Sequence, residues 1–277
     1  MTVSCSIVCY QNAPVEIRPL LESIACSPTA VRVYIVENNA NPRLARLAAS
    51  AQARYIHLPH NPGYGAGHNA AIREAMANGC RYHFVLNPDI RFPIGVLETL
   101  VDYLLGHEDV GMVAPRVQYP DGRPQHLCKL LPHPLDLLVR RFCPFVHRFS
   151  GREDHYELRR SGYDRVMPVP ALSGCFMLLR MSVMRRIGLF DERFFMYLED
   201  VDLTRRIGAI AKTIYYPHVC VTHAYAKGSY TSLRLTGYHV RSAVRYFNKW
   251  GWQRDPQRDR ANRAALQQIF PGLDSAV

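Results

Sequence analysis

The sequence predicts an α/β fold: a mostly parallel central sheet with helices on both faces, followed by a C-terminal amphipathic helix. Three observations carry this reading. Short runs rich in Val and Ile alternate with stretches of helical spacing from Val3 to Leu105. Several of those runs end in Asn, Gly, Pro or Asp, as strands do where they feed loops at one sheet edge. The 277 residues are 48% hydrophobic and 21% charged, enough to bury a sizeable core in one large domain or one domain with an appendage.

Val3–Tyr10 reads as the first buried strand, and Asn12 then caps a helix with Pro14 in its first turn. Val31–Val36 is the second strand, ending at Glu37-Asn38-Asn39. Ala45–Ala53 is a short helix and Tyr55–Leu58 the third strand. Gly67–Asn78 has helical spacing, with Gly79 placed as its C′ residue. Tyr82–Leu86 is the fourth strand, closing on Asn87-Pro88-Asp89, and Ile94–Leu105 is the next helix. After Val110–Val117 the alternation breaks at Asp121-Gly122, a hairpin-type turn. Residues 129–165 hold Pro132, Pro134, Pro144 and a Leu/Phe-rich stretch mixed with Arg140, Arg141 and Arg148, and read as a mobile insertion. Val166–Arg180 is extended, and Ser182–Ile187 is a short helix stopped by Gly188. Lys212–Tyr216 and Val219–His223 are two further strands, and a long helix over Thr231–Trp250 precedes a polar tail.

The formal charge of +11 is unevenly placed. Residues 1–128 balance to zero, while 129–165, 166–223 and 224–277 carry +3, +2 and +6. That asymmetry points to an anionic partner or surface against the second half. In the last helix Arg234, Arg241, Arg245 and Lys249 form a basic stripe beside Val240, Val244 and Phe247, with Trp250 and Trp252 at its end. Such a face suits either solvent or an anionic membrane surface. The basic residues are interleaved with Leu, Phe and Trp and no nucleic-acid-binding module is present, which argues against a nucleic-acid binder. No secretory signal is expected from the opening residues, and no apolar run reaches the ~18 residues of a membrane span. Eight scattered cysteines without a Cys-x-x-Cys pair fit a reducing cytosol better than a zinc site or a disulfide framework.

Four stretches could carry chemistry. Phe195 to Arg206 places Glu199, Asp200 and Asp202 where an extended segment enters a helix, and the dipole there favours ionised acids. An ionised carboxylate beside aromatics suits a general base, although helix capping with an Asp202–Arg206 pair explains the same residues. Asp89 at a strand's carboxyl end suits Mg²⁺ or Mn²⁺, or merely a turn. Asn61 to Asn69 is a glycine-rich loop opening a helix, through which backbone can approach a phosphate-bearing ligand. It matches neither the dinucleotide fingerprint nor the Walker pattern. His223 ends a β-branched strand and is either a structural residue or a metal ligand.

Together these stretches resemble the inverting family 2 glycosyltransferases of GT-A fold over nearly the whole chain, and among them the bacterial O-antigen rhamnosyltransferases that act on polyprenyl-diphosphate-linked sugars. The resemblance lies in Tyr64-Gly65-Ala66-Gly67-His68-Asn69, Phe84 to Ile90, Gly174 to Arg180, Gly188 to Asp191, Phe195 to Leu203, and Pro217-His218 through His223. It implies a catalytic domain over 1–223, with a nucleotide-binding half (1–128) and an acceptor half (166–223), followed by a basic helix and tail over 224–277. It makes Asp200 the base, with Glu199 orienting acceptor or base. Asp89 and His223 become ligands of Mg²⁺ or Mn²⁺, with Asn87 replacing the first acid of an Asp-x-Asp motif. Glu37 sits where an acid meets the pyrimidine N3–H. The implied donor-binding set is Asn12, Glu37, Asn38, Gly63, Gly65, Gly67, Asn69 and Asn87. The implied donor is dTDP-β-L-rhamnose, the acceptor a polyprenyl-diphosphate-linked GlcNAc, and the location the cytoplasmic face of the bacterial plasma membrane, without a spanning segment. A UDP-hexose or UDP-galactofuranose transferase is the nearest alternative. A nucleotidyltransferase is disfavoured because Cys9-Tyr10-Gln11-Asn12 lacks a triphosphate loop.

Overall fold

The computed structural model describes residues 2–137, 152–224 and 232–271. Its elements, in chain order, are β1 (Val3–Cys9), α1 (Pro14–Ala25), β2 (Val31–Glu37), α2 (Ala45–Ser50), β3 (Arg54–His57), α3 (Tyr64–Ala77) and β4 (Tyr82–Leu86). Then come β5 (Ile90–Arg91), α4 (Val96–Gly106), β6 (Val110–Gln118), β7 (Cys128–Lys129), a short helix at Arg152–Tyr156 and a 3₁₀ turn at Arg159–Ser161, β8 (Met167–Pro168), β9 (Ala171–Leu172) and β10 (Phe176–Arg180). The chain ends with α5 (Met181–Ile187), α6 (Glu199–Gly208), β11 (Lys212–His223), α7 (Leu233–Trp250) and α8 (Pro256–Ile269).

The main sheet runs β3-β2-β1-β4-β10-β6-β11-β5, with β8 also on β11. β1 to β4 are mutually parallel, as are β6 and β11, while β10 lies antiparallel between β4 and β6. The sheet is therefore mostly parallel, and apolar side chains pack on both of its faces. β1 and β4 are buried along their whole length, which explains their unbroken apolar runs. A polar line crosses that core: Ser4 bonds His83 Nδ1 (2.8 Å), and Ser6 bonds both His83 Nε2 (2.7 Å) and His68 Nδ1 (2.6 Å). Burial pushes His83 down to about 3 and His68 well below its usual value, so both rings are neutral.

Several expectations shift. Asn12 does not cap α1: the N-cap is Ala13, whose N–H donates to Glu16 Oε2 at 2.6 Å. The helix after the glycine stretch begins at Tyr64, so Gly65 and Gly67 lie inside its first turn. The two expected late strands are one, β11, with an irregularity between Tyr216 and Cys220 where Pro217 cannot donate to the ladder. The two-residue β5 was not legible; it pairs antiparallel with Thr222 and His223. The polar tail contains α8, capped by Asp255 with Pro256 at its first position.

The flanks of the expected insertion are core: Leu130, Leu131, Leu137, Tyr156, Leu158 and Tyr163 are all buried. Its centre, 138–151, lies outside the described residues, as do residues 225–231 and the last six positions. Nor is the C-terminal segment an appendage. Tyr246 and Phe247 pack with Phe194, Leu198 and Val201, and Ala265 and Ile269 join the sheet-side core. Arg205 locks the corner: its guanidinium makes two 2.6 Å bonds to Asp255 and lies 4.0 Å over the Trp250 ring.

The basic stripe of α7 is only partly a free surface. Lys249 binds Asp191 (2.8 Å) and Asp202 (2.6 Å), and Arg245 donates to the Arg193 carbonyl. Phe247 is buried, whereas Leu233, Val240, Val244 and Trp252 are exposed, Leu233 by 92%. The outward face is thus apolar, flanked by exposed Arg234 and Arg241.

Candidate active site

Parallel strands place their carboxyl ends along one edge of the sheet, and β4, β1 and β2 deliver Asn87-Pro88-Asp89, the Tyr10–Asn12 loop and Glu37-Asn38 there. β11 runs parallel to β6 and ends at the same edge, so His223 arrives opposite Asp89. His223 Nε2 lies 3.3 Å from Asp89 Oδ1 and 3.2 Å from Asn87 Nδ2. Burial works against a charged ring, but Asp89 and Cys175 outweigh it and His223 is pushed up to about 10.

The acids of α6 face this pair through a chain of contacts. Gly174 N–H donates to Asp200 Oδ2 (2.9 Å), while the Gly174 carbonyl accepts from the Tyr64 hydroxyl (2.7 Å). The same hydroxyl lies 2.9 Å from Asn87 Oδ1, and Asn87 adjoins His223. Tyr64 is half-buried, and desolvation of its hydroxyl together with Cys175, Glu199, Asp200 and Asp89 keeps the phenol protonated. Two consecutive left-handed residues, Tyr197 (φ +70°) and Leu198 (φ +65°), turn the chain sharply into α6. For non-glycine residues this costs about 1–2 kcal/mol each. Contacts from α7 hold the turn: Ser242 Oγ donates to Met196 O (2.7 Å), and Tyr238 and His239 lie against Phe195 and Tyr197.

The three acids have separate fates. Asp202 is fully buried and saturated by Arg206 Nε (2.9 Å), Lys249 and Trp250 Nε1 (2.8 Å). The expected helix pair is present, and Asp202 belongs to the fold. Glu199 is buried with Oε2 unpartnered, and burial plus the Asp200 charge raises its pKa well above the ordinary value. The expectation that every acid of the first turn stays ionised therefore fails at Glu199: desolvation outweighs the helix dipole. Asp200 is half-buried, and its two oxygens accept one bond each, from Gly174 N–H and Val201 N–H. A carboxylate offers about four acceptor positions, so Asp200 has capacity for a substrate hydroxyl.

The residues expected to bind the donor divide in the same way. Glu37 ends β2 at the expected edge but is only 1% exposed. Its carboxylate accepts from Tyr55 OH (2.6 Å), Arg43 N–H (2.8 Å), Leu44 N–H (3.0 Å) and Asn39 Nδ2 (3.3 Å). Burial opposes its charge, but these donors hold the carboxyl below its usual range. With its acceptor positions filled, Glu37 ties β2 to the start of α2 and has none left for a pyrimidine N3–H. Asn38 Nδ2 donates to the Gly63 carbonyl (3.1 Å), and Asn69 brackets Phe190 from both amide ends (2.8 and 3.0 Å). Asn12 accepts the Tyr10 N–H (3.0 Å) at the mouth of the β1 loop.

The glycines have a packing reason rather than a phosphate cradle. A Cβ at Gly63 (φ +102°) would strike the Phe195 carbonyl, while Gly65 and Gly67 admit Phe190 and Val8. The first amides are also spent internally, Gly63 N–H on Asn61 and Tyr64 N–H on Phe195 O. The loop docks α3 onto the 190–195 segment and thereby delivers Tyr64. Tyr64 stood inside the motif without a role assigned to it, and its aromatic hydroxyl flanked by glycines was the available signal. Gln125, which contacts His223, carried none.

The model of the glycosyl transferase family 2 matches residues 4–188. The chain belongs to this family. This glycosyltransferase is 28% identical over 270 residues to the N-acetylglucosaminyl-diphospho-decaprenol L-rhamnosyltransferase of Mycobacterium tuberculosis, covering 91% of this chain and 86% of that protein. It is 24% identical over 246 residues to the rhamnosyltransferase WbbL of Escherichia coli, covering 83% and 87%. Among solved structures it resembles the Pyrobaculum calidifontis mannosyltransferase PcManGT in complex with GDP-Man and Mn²⁺ (TM-score 0.60, 17% identity, 95% and 69% covered). It also resembles residues 1–349 of Staphylococcus aureus TarS (TM-score 0.61, 15% identity, 99% and 73% covered). The fold is that of the GT-A glycosyltransferases.

Among the described residues no three His, Cys, Asp or Glu side chains cluster as a metal site. The glycosyltransferase has Asp89, His223 and Asn87 instead. The Tyr64 hydroxyl has a single hydrogen facing two acceptors, and Gly174 O is the nearer. Turning the Asn87 amide over would give Tyr64 a donor and present Oδ1 beside Asp89. The carboxylate and the amide oxygen are hard donors and the imidazole a borderline one, a set suited to a cation that keeps its waters and takes substrate oxygens.

Proposed function

We propose that this glycosyltransferase moves L-rhamnose from dTDP-β-L-rhamnose, with inversion, onto a hydroxyl of polyprenyl-diphosphate-linked GlcNAc in cell-surface polysaccharide (O-antigen) synthesis. The observation that carries the mechanism is the sorting of the acids: Asp202 is saturated, Glu199 is buried, and Asp200 is half-buried with acceptor positions open. Asp200 takes the proton of the acceptor hydroxyl as its oxygen attacks the anomeric carbon through an oxocarbenium-like state. Gly174 N–H fixes the carboxylate by its other edge. Asp89, His223 and Asn87 would hold Mg²⁺ or Mn²⁺, which when bound supplies positive charge against the departing nucleotide diphosphate. The two rhamnosyltransferase relatives, one named for a decaprenol-linked GlcNAc acceptor, support the substrate pair.

A donor panel tests this reading: purified protein, Mg²⁺, several nucleotide sugars and a short-chain prenyl-diphosphate-GlcNAc. dTDP-L-rhamnose should give product fastest; preference for a UDP-hexose or UDP-galactofuranose would replace the rhamnose assignment.

An acceptor on a polyprenyl diphosphate lies at a membrane surface, and the outward face of α7 supports peripheral docking at the cytoplasmic leaflet. Among the described residues no helix is long and apolar enough to cross a membrane. Leu233, Val240, Val244 and Trp252 are exposed on α7 and just beyond its end, with Arg234 and Arg241 beside them. Apolar side chains enter the headgroup region, and each basic one adds ~1 kcal/mol near an anionic leaflet. Wild type should float with anionic liposomes at low salt. A variant with Arg234→Gln, Arg241→Gln and Leu233→Ser should not, and equal flotation of the two would remove α7 as the docking face.

A further inference from the structure

Gln125 lies just beyond the hairpin that follows β6, buried beside His223. Its backbone is fixed by a bond from its N–H to Val117 O (2.9 Å). Its side-chain amide faces two carbonyls, His223 O at 2.8 Å and Gln118 O at 3.5 Å. Carbonyls accept only, so the NH₂ group must point towards them. The amide oxygen is then the atom left facing His223 Nδ1, at 3.1 Å. An oxygen there requires Nδ1 to carry a hydrogen, and the ring is held in one plane with Nε2 turned to Asp89 and Asn87. The flipped ring would set a C–H against that oxygen, and the other tautomer a hydrogen-free nitrogen; either loses the bond.

We infer that Gln125 is a positioning residue for the metal site: gripping His223 by its backbone carbonyl and its Nδ1–H, it presents Nε2 beside Asp89. The inference rests on the metal reading above and assigns a role to a residue outside the acid and histidine motifs. Gln125 is itself buried, 4% exposed, and acts through the ring. Partners of this kind on the far nitrogen of a ligating histidine are typically worth ~10–100-fold in metal affinity.

The test is Mn²⁺ binding to the full chain with dTDP present, free Mn²⁺ being counted by electron paramagnetic resonance. Gln125→Leu removes both bonds and should weaken Mn²⁺ binding ~10-fold or more. Gln125→Asn withdraws the amide by one methylene and should also weaken it. Gln125→Glu keeps an oxygen opposite Nδ1 and, with a proton on the oxygen that faces the His223 carbonyl, should lose less than either. A purely structural role would lower the melting temperature without this ranking, so melting curves accompany each titration. If Gln125→Leu does not fold, Gln125→Asn against Gln125→Glu decides. His223→Ala separates the two ideas. If it weakens Mn²⁺ binding while the Gln125 variants match wild type, the positioning role is overturned and the metal site stands. If His223→Ala changes nothing, the metal reading fails and takes the inference with it.

Discussion

Asp200→Asn should lower glycosyl transfer by at least ~10²-fold while leaving nucleotide binding nearly intact, the size of effect general-base help carries. Asparagine keeps the shape and can still accept the Gly174 N–H through its amide oxygen, so α6 and its strained entry should survive. What disappears is the proton acceptor, and ~10²-fold corresponds to about 2.7 kcal/mol of barrier. Near-normal turnover would pass the role to Glu199. It could not pass to Asp202, whose carboxylate is fully buried between Arg206, Lys249 and Trp250. Glu199→Gln discriminates further, because an acid held protonated by burial should tolerate the amide far better than Asp200 does.

Asp89→Ala and His223→Ala should each weaken divalent-ion-dependent binding of the nucleoside diphosphate. Charge stabilisation by a bound divalent ion is worth several kcal/mol, so Asp89→Ala should cost transfer ~10²-fold or more. His223→Ala should cost less in structure than in function, because Gln125 and Asn87 keep partners in Gln118 and Tyr64. EDTA should abolish activity, and Mn²⁺ or Mg²⁺ should restore it. Full activity in EDTA would remove the metal, and Arg or Lys side chains would then have to balance the diphosphate.

The fold was legible where local signals agreed. β1 and β4 are buried runs with unbroken apolar patterns, and Gly79 and Gly188 stop α3 and α5 with left-handed φ values of +70° and +82°. The order of the motifs was enough to bring Asp89, His223 and Asp200 towards one edge. Two kinds of information were hidden. Solvent exposure of a polar side chain is a tertiary property, so Glu37 read as a ligand although four internal donors fill it, and Asp202 could not be told from Asp200. Close packing was hidden as well: the glycines of 63–67 looked like a phosphate cradle, whereas Phe190, Phe195 and Val8 occupy the space they leave. The C-terminal helix read as an appended amphipath because Phe247 and Lys249 find their partners, Leu198 and Asp202, far away in sequence. The signal for α8, an Asp followed by Pro, was present at Asp255-Pro256 and was outweighed by the polar composition around it.

A single displacement driven by one open base inverts the anomeric carbon, so the configuration of the product reports on it. Purified protein, dTDP-β-L-rhamnose and prenyl-diphosphate-GlcNAc should give a disaccharide whose one-bond C1–H1 coupling, read by nuclear magnetic resonance, reports an α-L-rhamnosyl linkage. A β-linked product would mean retention, and with it a second nucleophile or a different role for Asp200.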